Sequence, residues 1–417
     1  MGDVCASLSL PHRLWRLLPD RGRRRIALQA ATLVAPRIAL PPPPVRDGII
    51  VAGELSRASG LGEGARLMLH ALRKLGVACW PLDIGPLLPA HRADMAAPAA
   101  AEPSDGAALV LHVNPPMLPL VLARLPRALT RRRRVIGYWA WELPVSPPDW
   151  RVGARFVHEA WVPSQFTAAA IESLLPGRVR VVPHPVAASP PAASSPAAAP
   201  QDRAAFGLPA GAVVVLVSAN LASSFARKDP LAAIATFRAA FGDRADRILV
   251  LKLGNPDHFA ADYASVTAAV AGAPNIRLET RSLPAAEAHA LTAAADIVLS
   301  LHRSEGFGLV LAEAMLLGKP VVATGWSGNM EFMNDQNAMP VPYRLLPVSD
   351  PRRTYQVVGA MWAEPDRAQA AAMLRRLADD PALRAAIGKR ARSDAERLGS
   401  GPLEAAVHTL GLHPRAA

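Results

Sequence analysis

The sequence has little cysteine and no long hydrophobic run. Its two cysteines, Cys5 and Cys79, form no motif, so we expect no disulfide framework and a reducing, cytoplasmic environment. No secretory signal is recognisable, because no clean apolar segment with a small-residue cleavage site follows the basic N-terminus. The stretch that comes closest to a membrane span, residues 107–125, contains His112, Asn114 and three prolines, so it is not expected to cross a bilayer.

Lysine and aromatic residues are also scarce. Only five of the 46 basic residues are lysine, and arginine supplies the rest of the formal charge of +12. A basic surface of this kind can face anionic lipid or nucleotide phosphate. Nucleic acid is not an expected partner, because aromatics make up 5% of the chain and no zinc-ligand spacing or RNA-binding pattern occurs. No His, Asp and Glu cluster indicates a metal, so we expect no metal and no bound cofactor.

Residues 1–45 form a distinct basic segment. Arginines alternate with leucines and Trp15 over residues 12–18, and further arginines fall within residues 21–25. This mixture suits an amphipathic element at a membrane surface, and a poorly ordered tail is the alternative. The four prolines at 41–44 form a stiff break before the next segment.

The chain of 417 residues is too long for one ordinary core and fits two domains of roughly 150–200 residues. Strand-like runs alternate with helical patterns over residues 46–186 and again over 206–395. This alternation predicts an α/β protein with two Rossmann-like, doubly wound domains. In the second region, we expect a helix to open in the loop after the strand at residues 321–324, and the pattern from about residue 366 to residue 398 is helical. An Ala/Pro-rich linker, residues 187–205, separates the two domains. We expect the C-terminal tail, residues 396–417, to pack back on the first domain.

The most informative stretch runs from His302 to Thr324. It reads as a glycine loop that contains Glu305, a helix that begins near Leu309 and contains Glu313, and a second strand. The free N–H groups and the positive dipole end of such a helix favour a phosphate. Glu313 lies about 6 Å further along the helix axis than its start, so the two carboxylates can contact different parts of one ligand.

This stretch resembles the E-x7-E signature of retaining glycosyltransferases with the GT-B fold, of the family 4 type (glycosyl transferases group 1). The resemblance extends over about residues 48–395 and implies that Glu305 contacts the donor sugar and Glu313 the ribose. It also assigns Arg227 and Lys228 to the donor diphosphate, where fixed cations stabilise the leaving group. A solvated pair that caps the helix over residues 230–241 is the alternative. The other residues that the resemblance assigns to the donor are Gly60, Gly62, Phe307, Gly308, Leu309, Ser327, Gly328 and Asn329.

Sugar contacts are expected in the first domain as well. Trp141 and Glu142 follow a strand, and indole faces with a carboxylate suit sugar rings and hydroxyls. Many relatives implied by the resemblance use a histidine near the sugar, a place that His112 can fill, and a buried or capping histidine is the alternative. Ser164 is expected to cap the helix that begins at Gln165, and Trp161 is expected in the core.

The sequence therefore predicts a GT-B hexosyltransferase, retaining and metal-independent. It would move a sugar from a nucleotide-diphosphate sugar to a glycan or lipid-linked glycan, as in bacterial surface or exopolysaccharide synthesis. The chain lacks Asp-x-Asp, which disfavours the metal-dependent GT-A class. Residues 1–40 would contact the inner membrane face. Two alternatives stay open: a nucleotide-sugar epimerase of GT-B fold, and a non-catalytic sugar-binding scaffold.

Overall fold

The computed structural model describes residues 20–89, 93–99, 101–186 and 203–413, with side chains from residue 26 onward. The basic motif at residues 12–18 and most of the predicted linker, residues 187–202, lie outside the described residues. In the part that is described, no helix is both long and apolar enough to span a membrane.

The first domain is built on a six-stranded parallel sheet. The strand order is β2-β1-β3-β4-β5-β6. Its strands are β1 (Ile49–Gly53), β2 (Cys79–Asp83), β3 (Ala108–Leu111), β4 (Val135–Tyr138), β5 (Glu159–Val162) and β6 (Val179–Val181). Its helices are α1 (Asp20–Val34), α2 (Gly60–Lys74), α3 (Leu118–Arg124) and α4 (Gln165–Ile171), with a long 3-10 segment at Pro148–Phe156. The central strands β1, β3, β4 and β5 are fully buried, as expected for a sheet covered on both faces.

The second domain repeats this plan. Its parallel sheet has the order β12-β11-β10-β7-β8-β9. The strands are β7 (Val213–Asn220), β8 (Arg247–Gly254), β9 (Ile276–Glu279), β10 (Ile297–Ser300), β11 (Val321–Thr324) and β12 (Met339–Val341). The helices are α5 (Phe225–Lys228), α6 (Pro230–Phe241), α7 (Ala260–Val270), α8 (Ala285–Ala294), α9 (Leu309–Leu316), α10 (Arg367–Asp379) and α11 (Pro381–Leu398). The two sheets confirm the predicted GT-B architecture.

Local capping explains several helix boundaries. The Ser164 hydroxyl accepts a hydrogen bond from the Thr167 N–H and starts α4, as the sequence predicted. Asp229 caps α6, with Pro230 at its first position. The helical pattern expected over residues 366–398 is divided into α10 and α11, because Asp380 caps a new helix that begins with Pro381.

One predicted helix is replaced by a turn. The sequence indicated a helix opening in the loop that follows β11, but the chain forms only a four-residue 3-10 turn, Gly328–Glu331. The Asn329 side chain donates to the Thr324 carbonyl (2.9 Å) and folds the loop back onto the end of β11. A short side chain that bonds nearby backbone competes with helix formation, which accounts for the difference.

The C-terminal segment and one hairpin cross between the domains. Helix α12 (Gly401–Thr409) belongs to the second half of the sequence, but its Leu403 and Val407 lie in the first domain's core with Met68. The antiparallel hairpin β13 (Tyr343–Pro347) and β14 (Met361–Pro365) extends from the second domain. Its loop also enters a first-domain core, as described below.

Candidate active site

A cleft of about 550 Å³ lies between the domains. The carboxyl ends of both parallel sheets supply its walls, which is where open α/β sheets bind ligands. The first domain contributes the start of α2 and the loop after β4, and the second contributes the loops after β7 and β10 with the start of α9. Of the residues that the sequence singled out, those lining the cleft are Gly60, Glu142, Arg227, Lys228, Glu305, Phe307, Gly308, Leu309 and Glu313.

The loop before α9 is held in an unusual backbone conformation. Gly308 precedes the helix with φ of 97°, and no side chain caps the helix there. A residue with a side chain rarely adopts this conformation, so glycine is required. The uncapped N–H groups and the helix dipole therefore face the cleft, where an anion would satisfy them.

Glu305 forms an ion cluster with the two predicted cations. Lys228 Nζ contacts Glu305 Oε1, and Arg227 Nη1 lies 3.3 Å from Glu305 Oε2. Burial alone would raise the pKa of this carboxyl, but the charges of Lys228 and Arg227 outweigh burial and lower it to about 2. Glu305 is consequently an ionised carboxylate at neutral pH.

The two cations differ in their freedom to move. The Arg227 side chain is 2% exposed, whereas that of Lys228 is 21% exposed. Arg227 donates to the carbonyls of Ser304 (2.6 Å) and Ser223 (3.1 Å), which fixes its guanidinium. Arg227 is therefore an anchored charge, and the alternative of a solvated capping pair does not describe it.

Glu142 joins this cluster from the first domain. Its Oε1 lies 3.6 Å from Arg227 Nη2, and its Oε2 accepts a hydrogen bond from the Tyr355 hydroxyl (3.0 Å). One guanidinium thus lies between a carboxylate of each domain, Glu142 and Glu305. The sequence did not point to Tyr355, since nothing near it in the chain resembles a site motif.

Glu313 faces the cleft from α9. Burial by the cleft walls raises the pKa of its carboxyl to about 7, and the negative charge of Glu63 adds to the effect. Glu63 belongs to α2 and is itself paired with Arg66 at 2.6 Å. Two carboxylates therefore face the cleft from opposite domains.

Three of the predicted donor residues lie behind the cleft lining. The Ser327 hydroxyl accepts a hydrogen bond from the Glu305 N–H (2.7 Å), and the Gly328 N–H donates to the Glu305 carbonyl (2.9 Å). Asn329 is fully buried, and its Oδ1 lies 3.1 Å from His302 Nε2. Burial lowers the pKa of His302 to about 4, so its neutral ring can donate to this oxygen. These residues hold the Glu305 loop in place from beneath.

The glycines of the first-domain loop have different surroundings. A Cβ at Gly60 would meet open space, whereas a Cβ at Gly62 would lie 2.5 Å from the Glu54 carbonyl oxygen. Ser59 caps α2 by accepting from the Gly62 N–H. Gly60 thus borders the cleft, and Gly62 lets the chain close behind it.

Trp141 and His112 are buried beneath the first-domain wall. The Trp141 ring stacks on Tyr355 at 5.3 Å, and its indole N–H donates to the Val145 carbonyl. His112 stacks on Tyr138 at 4.3 Å, and its Nε2 lies 3.5 Å from Met68 Sδ. Burial lowers the pKa of His112 well below its usual range. Neither side chain lines the cleft.

A different histidine borders the cleft. His184 packs edge-on against Phe307 at 5.4 Å, and its Nδ1 lies 3.2 Å from the Tyr138 hydroxyl oxygen. That hydroxyl donates to the Val182 carbonyl (2.8 Å), so His184 Nδ1 carries the proton in this contact. Burial lowers the pKa of His184 to about 3, which keeps the ring neutral. From the sequence alone we interpreted His184 as structural, because it stands just before the Ala/Pro-rich linker.

The described side chains show no group of three or more His, Cys, Asp or Glu arranged as metal ligands. The cleft is instead characterised by the cations Arg227 and Lys228, the start of α9 and the carboxylates that face it. Two facing Rossmann-like domains with a cleft between them define a class: the GT-B fold.

Comparison with known proteins agrees with this class. Residues 280–394 match the family Glycosyl transferases group 1, so the second domain carries a domain of that family and the prediction of a glycosyltransferase is confirmed. No curated protein has a significantly similar sequence.

Solved structures share the fold at low sequence identity. Alr3699/HepE from Anabaena, in complex with UDP and glucose, has a TM-score of 0.61 and 17% identity over 88% of this chain and 100% of that chain. WaaG, a glycosyltransferase involved in lipopolysaccharide biosynthesis, has a TM-score of 0.55 and 18% identity over 86% and 99%. A TarM variant from S. aureus, in complex with Fondaparinux, alpha-GlcNAc-glycerol and UDP, has a TM-score of 0.51 and 12% identity over 74% and 56%. The chain thus spans about half the length of TarM.

Proposed function

We propose that this chain transfers a sugar from a nucleotide-diphosphate sugar to a glycan or lipid-linked glycan, with retention of the anomeric configuration and without a metal. The observation that carries the proposal is the cluster of Arg227, Lys228 and Glu305 beside the uncapped start of α9. Fixed cations and helix N–H groups at one point suit a diphosphate that gains negative charge as it leaves.

Lys228 is the cation that meets the phosphate. Its side chain is partly exposed and forms a contact with Glu305 that a diphosphate can replace. Arg227 stays in place, because two carbonyls and two carboxylates hold it. When Lys228 turns to the diphosphate, Glu305 becomes free to accept hydrogen bonds from the donor sugar.

Glu313 binds the ribose of the donor. As a carboxylate it accepts hydrogen bonds from two hydroxyls, and its position along α9 separates the ribose from the diphosphate at the helix start. Its raised pKa of about 7 makes this contact dependent on pH. Donor affinity is expected to rise between pH 6 and pH 8, as the carboxyl ionises.

Glu305 is assigned to the sugar contact and not to proton transfer. Arg227 also lowers the pKa of this carboxyl and stays beside it when Lys228 turns away, which favours the ionised form near neutral pH. In the transfer step, the bond between the sugar C1 and the phosphate oxygen breaks, and the acceptor oxygen bonds to C1 from the same face. The acceptor proton passes to the departing phosphate oxygen, so no protein nucleophile is needed.

The structural neighbours suggest which donor to test first. HepE has been solved with UDP and glucose, and TarM with UDP, so UDP-sugars lead a panel that includes GDP-, ADP- and dTDP-sugars. WaaG acts in lipopolysaccharide biosynthesis, which supports an acceptor from bacterial surface or exopolysaccharide synthesis.

The experiment combines binding with product analysis. Thermal shift in EDTA identifies the nucleotide, because a bound donor stabilises the fold by mass action. A shift by one nucleotide family that Glu313→Ala abolishes supports the donor site. NMR of the anomeric proton of the product then shows retention or inversion. An epimerised donor without acceptor transfer indicates the epimerase, and binding without turnover indicates a scaffold.

We further propose that the first domain contacts an anionic membrane that presents the acceptor at the cytoplasmic face. Leu33 and Val34 at the end of α1 are 87% and 60% exposed. Exposed Arg127 donates to the Val34 carbonyl (3.3 Å), and exposed Arg131 follows one turn later. Neither residues 21–46 nor residues 115–134 contain an Asp or Glu. Exposed apolar side chains beside the exposed Arg127 and Arg131 suit a lipid headgroup region.

Vesicle sedimentation tests this surface. Binding to phosphatidylglycerol vesicles should be strong at low salt and weak to phosphatidylcholine, and Leu33→Asp with Val34→Asp should reduce it at least tenfold. Val358→Asp is the matched control, since Val358 is 98% exposed on the hairpin loop of the second domain. Equal binding by all variants would contradict the contact.

A further inference from the structure

The β13–β14 hairpin connects the two domains next to the cleft. At its base, Arg303 pairs with Glu364 at 2.9 Å and lies over the Trp362 ring at 5.4 Å, which fixes the hairpin to the second domain. Its loop carries Val348 and Tyr355 into a hydrophobic core of the first domain. Both domains therefore hold the same hairpin.

The loop between the strands is itself ordered. The Asp350 carboxylate is buried and accepts from the Tyr355 N–H (3.0 Å). Arg352 pairs with Asp262 and lies over the Phe259 ring at 4.0 Å, both in the second domain. The backbone of Tyr355 is therefore held by contacts of the loop itself, independently of the contacts that the Tyr355 side chain makes.

The Tyr355 side chain contacts both halves of the site. Its hydroxyl donates to Glu142 Oε2 (3.0 Å), and its ring stacks on Trp141 of the same first-domain loop. The Arg227 guanidinium of the second domain lies 5.2 Å from the ring centroid, within range of a cation–π interaction. Glu142 has its other oxygen, Oε1, directed to Arg227. Because the hydroxyl holds Oε2, the orientation of this carboxylate depends on Tyr355.

We propose that Tyr355 is a positioning residue, which fixes the Glu142 carboxylate and the Arg227 guanidinium relative to each other across the domain boundary. Glu142 lines the cleft, where the sequence predicts a sugar contact, and Arg227 supports the diphosphate site through Glu305. This assignment rests on the proposed function, since the groups that Tyr355 orients are those that the transfer uses. It adds a residue far from every sequence motif: 213 positions separate Tyr355 from Glu142.

The hydroxyl and the ring have separable effects. Tyr355→Phe removes only the hydrogen bond to Glu142, so we expect kcat/KM for the acceptor to fall about tenfold while nucleotide-diphosphate affinity stays within twofold. Tyr355→Leu also removes the aromatic face beneath Arg227, so nucleotide-diphosphate affinity should fall as well. Tyr343→Phe is the matched control on the same hairpin, because the Tyr343 side chain is exposed.

A stability cycle tests the contact without relying on turnover. Melting temperatures of Tyr355→Phe, Glu142→Leu and the double variant should be non-additive, because either single change removes the same hydrogen bond, since leucine has no acceptor atom. Additive shifts would overturn the contact. Non-additive shifts with unchanged kinetics would overturn the positioning role and leave a structural tether. If wild-type protein transfers no sugar from any donor, the proposed function fails and the positioning role fails with it, whereas a non-additive cycle would still establish the contact.

Discussion

Glu313 should destabilise the ligand-free protein at alkaline pH. The pKa of its carboxyl rises from 4.5 to about 7 on folding, because the cleft walls bury it and Glu63 faces it. A folded pKa above the unfolded value means that the folded state binds more protons, so stability is lost as pH rises from about 4.5 to about 7. Replacing Glu313 by neutral glutamine removes this loss.

The magnitude follows from the size of the pKa change. At about 1.36 kcal/mol per pH unit, a rise from 4.5 to about 7 corresponds to roughly 3 kcal/mol. Glu313 is partly exposed to cleft water, which screens its charge, so we expect about 1–2 kcal/mol. For a domain of this size, each kcal/mol changes the melting temperature by about 2–4 °C.

Thermal unfolding of ligand-free Glu313→Gln and wild-type protein at pH 5 and pH 8.5 measures this effect. The variant should melt about 2–8 °C higher than wild type at pH 8.5, and the difference should fall to about a quarter of that at pH 5, where the folded carboxyl is protonated and the unfolded one is already largely ionised. Glu63→Gln should give a smaller gain at pH 8.5, and exposed Glu102→Gln should give none. A variant that melts at or below the wild-type temperature at pH 8.5 would refute the reasoning, since glutamine keeps the shape of the side chain.

Three further outcomes are expected. Lys228→Met should lower kcat by about 10²–10³-fold, measured by steady-state transfer, because the cation acts on the leaving diphosphate. Gly328→Ala should abolish donor binding by calorimetry, because its Cβ would lie 2.2 Å from the Gly306 carbonyl oxygen, whereas Gly211→Ala meets no atom within 4 Å and should bind normally. Transfer should proceed at the same rate in excess EDTA as in added Mg²⁺, and loss of activity in EDTA would contradict metal independence.

Local patterns in the sequence predicted much of the second domain. The helix over Pro230–Phe241 and the helix start at Leu309 agree with the structure. These boundaries are set by neighbouring residues, such as the Asp229 cap with Pro230 and the glycine before Leu309. Contacts within a few residues decide such elements, so the sequence contains the necessary information.

The β13–β14 hairpin was not predicted, for the opposite reason. Its loop residues Val348 and Tyr355 are apolar or aromatic because they pack on the first domain, not because of a local period. The role of Tyr355 depends on Glu142, which is 213 positions away. A contact of this range arises from topology, and no spacing in one sequence reveals it.

The same distinction applies to the histidines. His112 matched the expected position in the sequence, and the structure places it against Tyr138 and Met68. His184 follows β6 just before the predicted linker, and the structure places it at the cleft against Phe307. The packing of the two domains decides which residues after a strand face the opposite domain. The sequence of one strand does not contain this information.

The charges of the cleft bear on how a donor would bind. Arg227 and Lys228 are balanced by Glu142 and Glu305, so this cluster has no net charge before a ligand arrives. A diphosphate is therefore not attracted by free cations and has to displace Glu305 from Lys228. On the proposed function, this exchange brings the cation to the phosphate and the carboxylate to the sugar in one movement. A nucleotide diphosphate without a sugar can bind Lys228, but it offers no sugar hydroxyls to the displaced Glu305 carboxylate. The site therefore favours the intact donor over the free nucleotide product.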